Sequence, residues 1–369
     1  MRMADLSKKD QLYELIRTNP FISQQELAVQ LGLSRSAVAG HIAGLIRERR
    51  LLGRAYVVPD RRPVLCIGAA NIDRKLRPLG RLAMGTSNPA HQVESFGGVA
   101  RNIAENLARL GGAVELITAI GSDAAGGALL AQAEGTGIDT RGTLRLDGAS
   151  GTYTAVLDHE GEMAVALADM ALYDQLTPEF FATRQQQRAS AALVVADLNL
   201  PLASVAALVL DAAREGVPLV LVAVSEPKMA RLPQALHGVR LLILNEGELA
   251  ARVGRLLDGE ADLAGACREV QAQGVRELIV TRGSRGVTYS TAAGVAHLEA
   301  QATSVVDVTG AGDAFAAAVC WSISRGEGLQ QACRRGLHLS ALTLACKETV
   351  CPDLSPATLD DNTHTILQD

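Results

Sequence analysis

The chain has 369 residues, too many for one small domain and suited to two, one small and one large. Apolar residues make up 48% and charged ones 20%, an ordinary globular balance that can bury a large core, and no apolar run is long enough to span a membrane. The net charge of −5 is unevenly spread: residues 1–62 carry 11 Lys/Arg against 6 Asp/Glu, a net of +5 that leaves −10 for the remainder, so only the small basic part is expected to meet nucleic acid.

The opening stretch MRMADLSKKD lacks the apolar core of a signal peptide, and the six cysteines (Cys66, Cys267, Cys320, Cys333, Cys346, Cys351) form no CxxC pair. A reduced, cytoplasmic chain with no membrane partner is expected, its cysteines serving as buried apolar filler. Cys346 and Cys351 could pair or bind a metal, but nothing nearby completes a site. Aromatics are scarce at 3%, so packing falls to Ala, Val, Leu and Gly, which suits helices lying close on a parallel sheet.

Residues 7–58 read as two or three short helices and a β-wing. Leu12, Leu15 and Ile16 share one helical face. Ser23 and Glu26 form a capping box before Leu27, Val29 and Leu31. Gly32 makes the turn, and Ser34 caps a helix that sends Val38, Ile42, Leu45 and Ile46 inward. Arg35, Ser36, His41 and Arg47 then face outward, where a recognition helix presents side chains to a major groove, and Arg49, Arg50 and Arg54 add phosphate contacts. Residues 51–58 alternate like a short hairpin. This pattern resembles the winged helix-turn-helix of bacterial regulators, which implies DNA binding; a helical dimerisation module is the alternative. The expected domain spans 1–58, followed by a linker at 59–63 marked by charge and by Pro59 and Pro63.

From Val64 onward the texture changes. Strands are predicted at 64–70, 114–120, 192–196, 219–224, 241–244 and 278–281, and helices at 100–110, 124–136, 202–215, 246–254, 261–273 and 311–324. Short apolar runs spaced by helices give an α/β domain over 64–369, a mostly parallel sheet covered on both faces. Two stretches, about 74–96 and 141–172, break the rhythm. There Tyr153, Ala155 and Leu157, then Met163, Val165 and Leu167, alternate like a hairpin, which predicts a lid over the site.

Three strings carry chemistry. In Asp307-Val308-Thr309-Gly310-Ala311-Gly312-Asp313-Ala314-Phe315, at a strand-to-helix junction, the small residues Gly310, Ala311 and Gly312 let backbone N–H groups converge at a helix N-terminus, which attracts phosphate. Asp313 falls in the first turn beside that anion site, placed to accept a proton from a substrate hydroxyl. The GxxxxGK[ST] of a P-loop is absent. In Ser95-Phe96-Gly97-Gly98-Val99-Ala100-Arg101-Asn102, Gly97 and Gly98 let backbone approach a sugar, while Arg101 and Asn102 bond its hydroxyls. In Gly68-Ala69-Ala70-Asn71-Ile72-Asp73, at the carboxyl end of the first large-domain strand, Asn71 and Asp73 are set to grip a vicinal diol. An Asn-x-Asp turn cap is the alternative reading of that last string.

In this order and at these separations, the three strings resemble the ribokinase-like (PfkB) carbohydrate kinases over about residues 63–355. The resemblance implies a ribokinase-like, mostly parallel sheet flanked by helices, with a small β lid. It also implies transfer of the ATP γ-phosphate to a primary hydroxyl of a sugar or nucleoside. It assigns the catalytic base to Asp313 and the anion hole to Gly310, Ala311 and Gly312. Magnesium, through water, falls to the Asn245-x-x-Glu248 motif, and the nucleotide to Asn245, Thr281, Gly283 and Gly286. Asp307 and Thr309 match positions that hold a monovalent cation, potassium, in many members, and a homodimer is expected. Within the family, Ser87–Pro89, Gly97–Asn102, Gly161–Met163, Asp169–Met170 and Ala196–Asn199 resemble pseudouridine kinases. That likeness implies phosphorylation of a nucleoside 5′ hydroxyl at a site lined by Asn71, Asp73, Gly98, Asn102 and Asp169. Two departures bear on substrate identity: Val222-Ala223-Val224-Ser225 stands where such kinases carry Asp-Pro-Val-Ser, and Ile243-Leu244-Asn245 where they carry Lys-Pro-Asn. The alternatives are a kinase for another nucleoside or a free sugar, or a transcription regulator that keeps the kinase fold as a ligand sensor. Asp313, Gly312 and Glu248 argue against the sensor, which needs neither a base nor a metal site.

Overall fold

In the computed structural model, which describes residues 6–20, 22–53 and 62–359, the chain divides into two units, Met1–Arg62 and Pro63–Asp369. In the first, side-chain caps fix three helices. Ser7 accepts from the Asp10 N–H to open α1 (Lys8–Thr18). Ser23 and Glu26 form the reciprocal capping box of α2 (Gln24–Leu31), which Gly32 ends at a left-handed φ of 62°. Ser34 accepts from Ala37 at the head of α3 (Arg35–Arg47). The helices bury Leu12, Ile16, Leu27, Leu31, Val38, Ile42 and Leu45 together. Ile46, expected to point inward, is 37% exposed: it follows Leu45 on the helix and so turns past the packed face. Most of the expected wing, residues 54–58, and the linker up to residue 61 lie outside the described residues.

The second unit begins with β1 (Val64–Ile67), β2 (Asn71–Pro78) and β3 (Ala90–Gly97), then α4 (Val99–Arg109), β4 (Val114–Ile117), β5 (Ala119–Gly121) and α5 (Ala124–Gly135). β6 (Leu144–Leu146), β7 (Thr152–Leu157) and β8 (Met163–Asp169) lead to two short helices, α6 (Pro178–Ala182) and α7 (Gln185–Ser190). β9 (Leu193–Asp197), α8 (Leu202–Glu215), β10 (Leu219–Val222), β11 (Val239–Asn245), α9 (Glu246–Val253) and α10 (Gly259–Ala272) follow. The unit closes with β12 (Glu277–Thr281), β13 (Val287–Thr291), β14 (Gly294–Leu298), α11 (Ala311–Ser324) and α12 (Leu329–Leu344).

Eight strands form the main sheet in the order β14-β13-β12-β11-β10-β9-β1-β4, parallel from β4 to β12 and antiparallel at β13 and β14. Strand alternation splits the apolar runs between two cores. Val64, Cys66, Val195, Val220 and Ile243 pack under α4, α11 and α12, whereas Leu65, Ile67, Val194, Leu221 and Leu244 pack under α8, α9 and α10. This is the ribokinase-like α/β layering the sequence implied.

The two stretches expected to form a lid make more than a single hairpin. Two hairpins, β2–β3 and β7–β8, join through parallel pairing of β2 with β7 into a four-stranded sheet. The strand predictions missed β13 and β14, and the helix predictions missed α12. The interior Gly336 of α12 reads as a helix breaker; in the fold a Cβ there would stand 2.7 Å from the Phe315 ring, so the glycine lets α12 lie against α11.

Candidate active site

All three strings converge at the carboxyl edge of the parallel strands, where open α/β sheets hold ligands. Gly310 caps α11 at a φ of 82°, and a Cβ on it would lie 1.9 Å from the Thr349 carbonyl oxygen, so only glycine can make this turn. The first-turn N–H groups that follow have no intrahelical acceptor, the feature on which the expectation of an anion hole at Gly310, Ala311 and Gly312 rests. Around Gly312 the space that a Cβ would enter is open.

Asp313 lies in that first turn and accepts from Asn102 Nδ2 at 2.7 Å. Loss of hydration on burial, with Asp197 and Asp73 nearby, pushes its carboxyl up to about 7 despite the Asn102 bond. Asn102 is aimed by its neighbour: Arg101 Nη1 donates to Asn102 Oδ1 at 2.9 Å, which turns the amide NH₂ toward Asp313. Arg101 was expected on substrate hydroxyls. The structure instead buries it and commits its guanidinium to the Phe96 carbonyl, Asn102, Glu105 and Gln132. A buried cation in α4 is thereby held where the Glu105 carboxylate neutralises it and the Phe96, Asn102 and Gln132 oxygens accept from it.

Asn71 Nδ2 donates to Asp73 Oδ1 at 2.6 Å, so the two side chains form one acceptor group at the start of β2. Burial raises the Asp73 carboxyl. Gly97 abuts the Asp73 carboxyl, and Gly98, at a φ of 98°, abuts the Ala69 carbonyl. Asp169 is not brought to this cluster. It ends β8 opposite Thr152, on the face of Ile72 rather than that of Asp73, and is exposed.

Two residues that were not among the expected site residues, one of them in the Ala196–Asn199 string, hold the loop between β1 and β2. Asp197, buried at the end of β9, accepts from the N–H groups of Ala69, Ala100 and Asn199 at 2.9, 3.0 and 2.8 Å. It thereby ties that loop to the start of α4. Tyr173 Oη accepts from the Ala70 N–H at 3.1 Å and donates to the Ala70 carbonyl. The sequence signals for Asp197 were its position at a strand's carboxyl end and its place in the Ala196–Asn199 string; Tyr173 gave none.

Of the residues expected to meet the nucleotide, Asn245 and Thr281 lie in register at the ends of β11 and β12, with the Gly283 and Gly286 turn beyond them. Asn245 and Glu248 form a capping box at the head of α9: Glu248 accepts from the Asn245 N–H at 2.7 Å and donates its own to Asn245 Oδ1 at 2.8 Å. Burial, with the Glu226 charge nearby, raises the Glu248 carboxyl. Among the described residues no group of three or more His, Cys, Asp or Glu could hold a metal ion. A magnesium ion here would take most of its ligands from phosphate oxygens and water, and Glu248 is the carboxylate that could reach it through water.

Potassium at Asp307 and Thr309 fits less well. Lys75 Nζ, from β2, donates to Asp307 Oδ2 at 2.7 Å and to Thr309 Oγ1 at 3.1 Å. Partial burial pushes the Asp307 carboxyl up, but Lys75 and the Thr309 hydroxyl and N–H outweigh it and hold it at about 2.

In the first unit Arg35, Ser36 and Arg47 are exposed on α3 and His41 is half-buried. Arg50, expected on phosphate, is paired with Asp10 at 2.7 Å and stacked on Tyr13, fastening α1 to the end of α3. Arg54 lies outside the described residues. Five of the six cysteines are buried and all are free, with Cys346 Sγ 2.7 Å from Cys351 Sγ. No helix among the described residues is long and apolar enough to cross a membrane.

Residues 61–354 match the pfkB family of carbohydrate kinases, and residues 7–48 match the winged helix-turn-helix DNA-binding family. The pseudouridine kinase of Escherichia coli K12 is 35% identical over 298 residues, 80% of this chain and 94% of that protein. The sugar kinase YeiI of the same strain is 32% identical over 351 residues, 95% of this chain and 96% of its own, a match that takes in most of the first unit. The structure of Arabidopsis thaliana ribokinase with ribose and ATP superimposes with a TM-score of 0.70 at 21% identity, covering 81% of this chain and 97% of that one.

Proposed function

The chain belongs to the PfkB family of carbohydrate kinases, and we propose that within it this member transfers the γ-phosphoryl of ATP to the 5′ hydroxyl of a nucleoside, pseudouridine above all. The observation that carries the reading is the relay of Arg101, Asn102 and Asp313 at the mouth of the Gly310 hole. It supplies an oriented base beside an anion site. The choice of nucleoside rests on the likeness to the E. coli pseudouridine kinase.

ATP supplies the phosphoryl group, and magnesium offsets the phosphate charge. Every other role falls to the chain's own residues. Asp313, pushed up to about 7, matches the acidity at which a base both carries its negative charge and holds a proton well near neutral pH. The α11 amides stand where charge develops on the transferred group. Asp73, with Asn71 on one oxygen, accepts from the ribose diol, and the lid excludes water that would otherwise compete as acceptor.

Reading of the base falls to the lid. Asn88 is bonded within its own turn, to Ala83 and Thr86, so Ser87–Pro89 shapes the rim without a free amide. Ser95 and Tyr153 flank Asp73 in register on the same face and are the polar groups placed to meet a nucleobase. Purified protein with ATP and magnesium, offered pseudouridine, uridine, inosine, adenosine, ribose and fructose, tests the proposal. A 5′-monophosphate of pseudouridine is the expected main product; no turnover of any of the six rejects the kinase reading.

The first unit favours a second activity alongside the first. Its winged helix-turn-helix match and the exposed Arg35, Ser36 and Arg47 on α3 support DNA binding, with His41 at the same helix. The enzyme is then also a DNA-binding regulator.

A further inference from the structure

Lys75 sits midway along β2, and its neighbours in register across the lid are Val93, Ala155 and Ala166, none of which carries charge. Its ammonium finds its partners outside the lid, in the loop before α11: Asp307 Oδ2 at 2.7 Å and Thr309 Oγ1 at 3.1 Å. Asp307 Oδ1 in turn accepts from the Thr309 N–H and hydroxyl at 2.8 and 2.6 Å. Each side-chain oxygen of Asp307 and Thr309 therefore already faces an N–H or O–H hydrogen. The carboxylate's single charge is matched by one ammonium, and a potassium ion at the same oxygens would meet that ammonium at contact distance. Thr309 is the residue before Gly310, so whatever neutralises Asp307 also fixes the loop that opens the anion hole.

We infer that Lys75 is a built-in monovalent cation, its ammonium doing from the lid strand what a free potassium ion between Asp307 and Thr309 would do. Lys75 is then a positioning residue that acts through Asp307 and Thr309, and the chain is indifferent to potassium. The inference rests on the kinase reading only where turnover is measured.

The test compares potassium chloride with tetramethylammonium chloride at equal ionic strength, on the full-length chain, by thermal melting and by ATP turnover. The wild type should melt and turn over alike in both salts. Lys75→Met should lose turnover in tetramethylammonium and regain it in potassium, with a melting rise of about 2 °C or more, because an ion that binds only the folded state stabilises it. Lys75→Arg, which keeps the charge, should behave as the wild type. A potassium-dependent gain in the wild type overturns the inference, as does a Lys75→Met chain equally indifferent to both salts. The melting comparison needs no substrate, and its wild-type arm needs no variant, so it decides even where the nucleoside reading or the variant's folding fails.

Discussion

Replacing Asp313 by Asn keeps the volume and removes the base. Turnover should fall by about 10²–10⁴, the usual loss for a positioned general base, while ATP binding measured by calorimetry is retained. Near-native turnover would remove Asp313 from that role. In the wild type the acid limb of kcat/KM should lie near pH 7, since the carboxyl is pushed to about 7 and must be ionised to accept a proton. Stability runs the other way. The folded state favours the protonated carboxyl, so this group's contribution is fully present below its ordinary 3.8 and is lost as pH rises through about 7. Asp313→Asn should therefore raise the melting temperature above pH 7 and change it little at pH 4. Asp313 and Asn102 could be singled out because each sits in a motif whose residue types suggest a chemistry, and the structure brings the two into contact. Arg101 shares Asn102's motif and was expected on substrate hydroxyls, since a sequence shows a cation and not that it is buried beside Glu105 and Gln132.

The turn into α11 separates two glycines that look alike in sequence. Gly310→Ala puts a methyl against the Thr349 carbonyl at a left-handed φ, and should lose both turnover and several degrees of melting temperature. Gly312→Ala meets no atom and lies inside the helix, where alanine gains about 0.5–1 kcal/mol over glycine. It should melt no lower than the wild type and still turn over poorly, because its methyl enters the phosphoryl space. Wild-type turnover in Gly312→Ala would mean that this turn is not the anion hole. The main parallel strands and their crossover helices could be read from apolar runs, whose length and spacing differ in kind from loops. What escaped was set by partners far away in the chain. Gly336 looks like a break in α12 until Phe315 fills the gap, and β2 and β7 pair across some eighty residues. Tyr173 and Asp197 likewise hold the loop at Ala69 and Ala70 from more than a hundred residues away.

Because every residue assigned to phosphoryl transfer lies beyond Pro63, a chain starting there should phosphorylate at a rate close to that of the full protein. The full protein should bind DNA from its own upstream region with an affinity that falls steeply with salt, as phosphate contacts by Arg35 and Arg47 require. No binding at low salt would remove the regulatory activity and leave the enzyme. The two-unit organisation was legible from the charge shift at residue 62 and the change from helical to α/β texture. Substrate identity was less so, since Asn71 and Asp73 suit any ribosyl compound and only the lid can tell one base from another. The most direct measurement is therefore kcat/KM for pseudouridine and uridine side by side, since the two share a ribose and differ in the ring N–H presented to the lid. A pocket that bonds that N–H should prefer pseudouridine by about 10²-fold or more, because the wrong isomer leaves buried polar groups unpaired. Equal efficiency on the two, or a preference for inosine or a free sugar, would contradict the assignment.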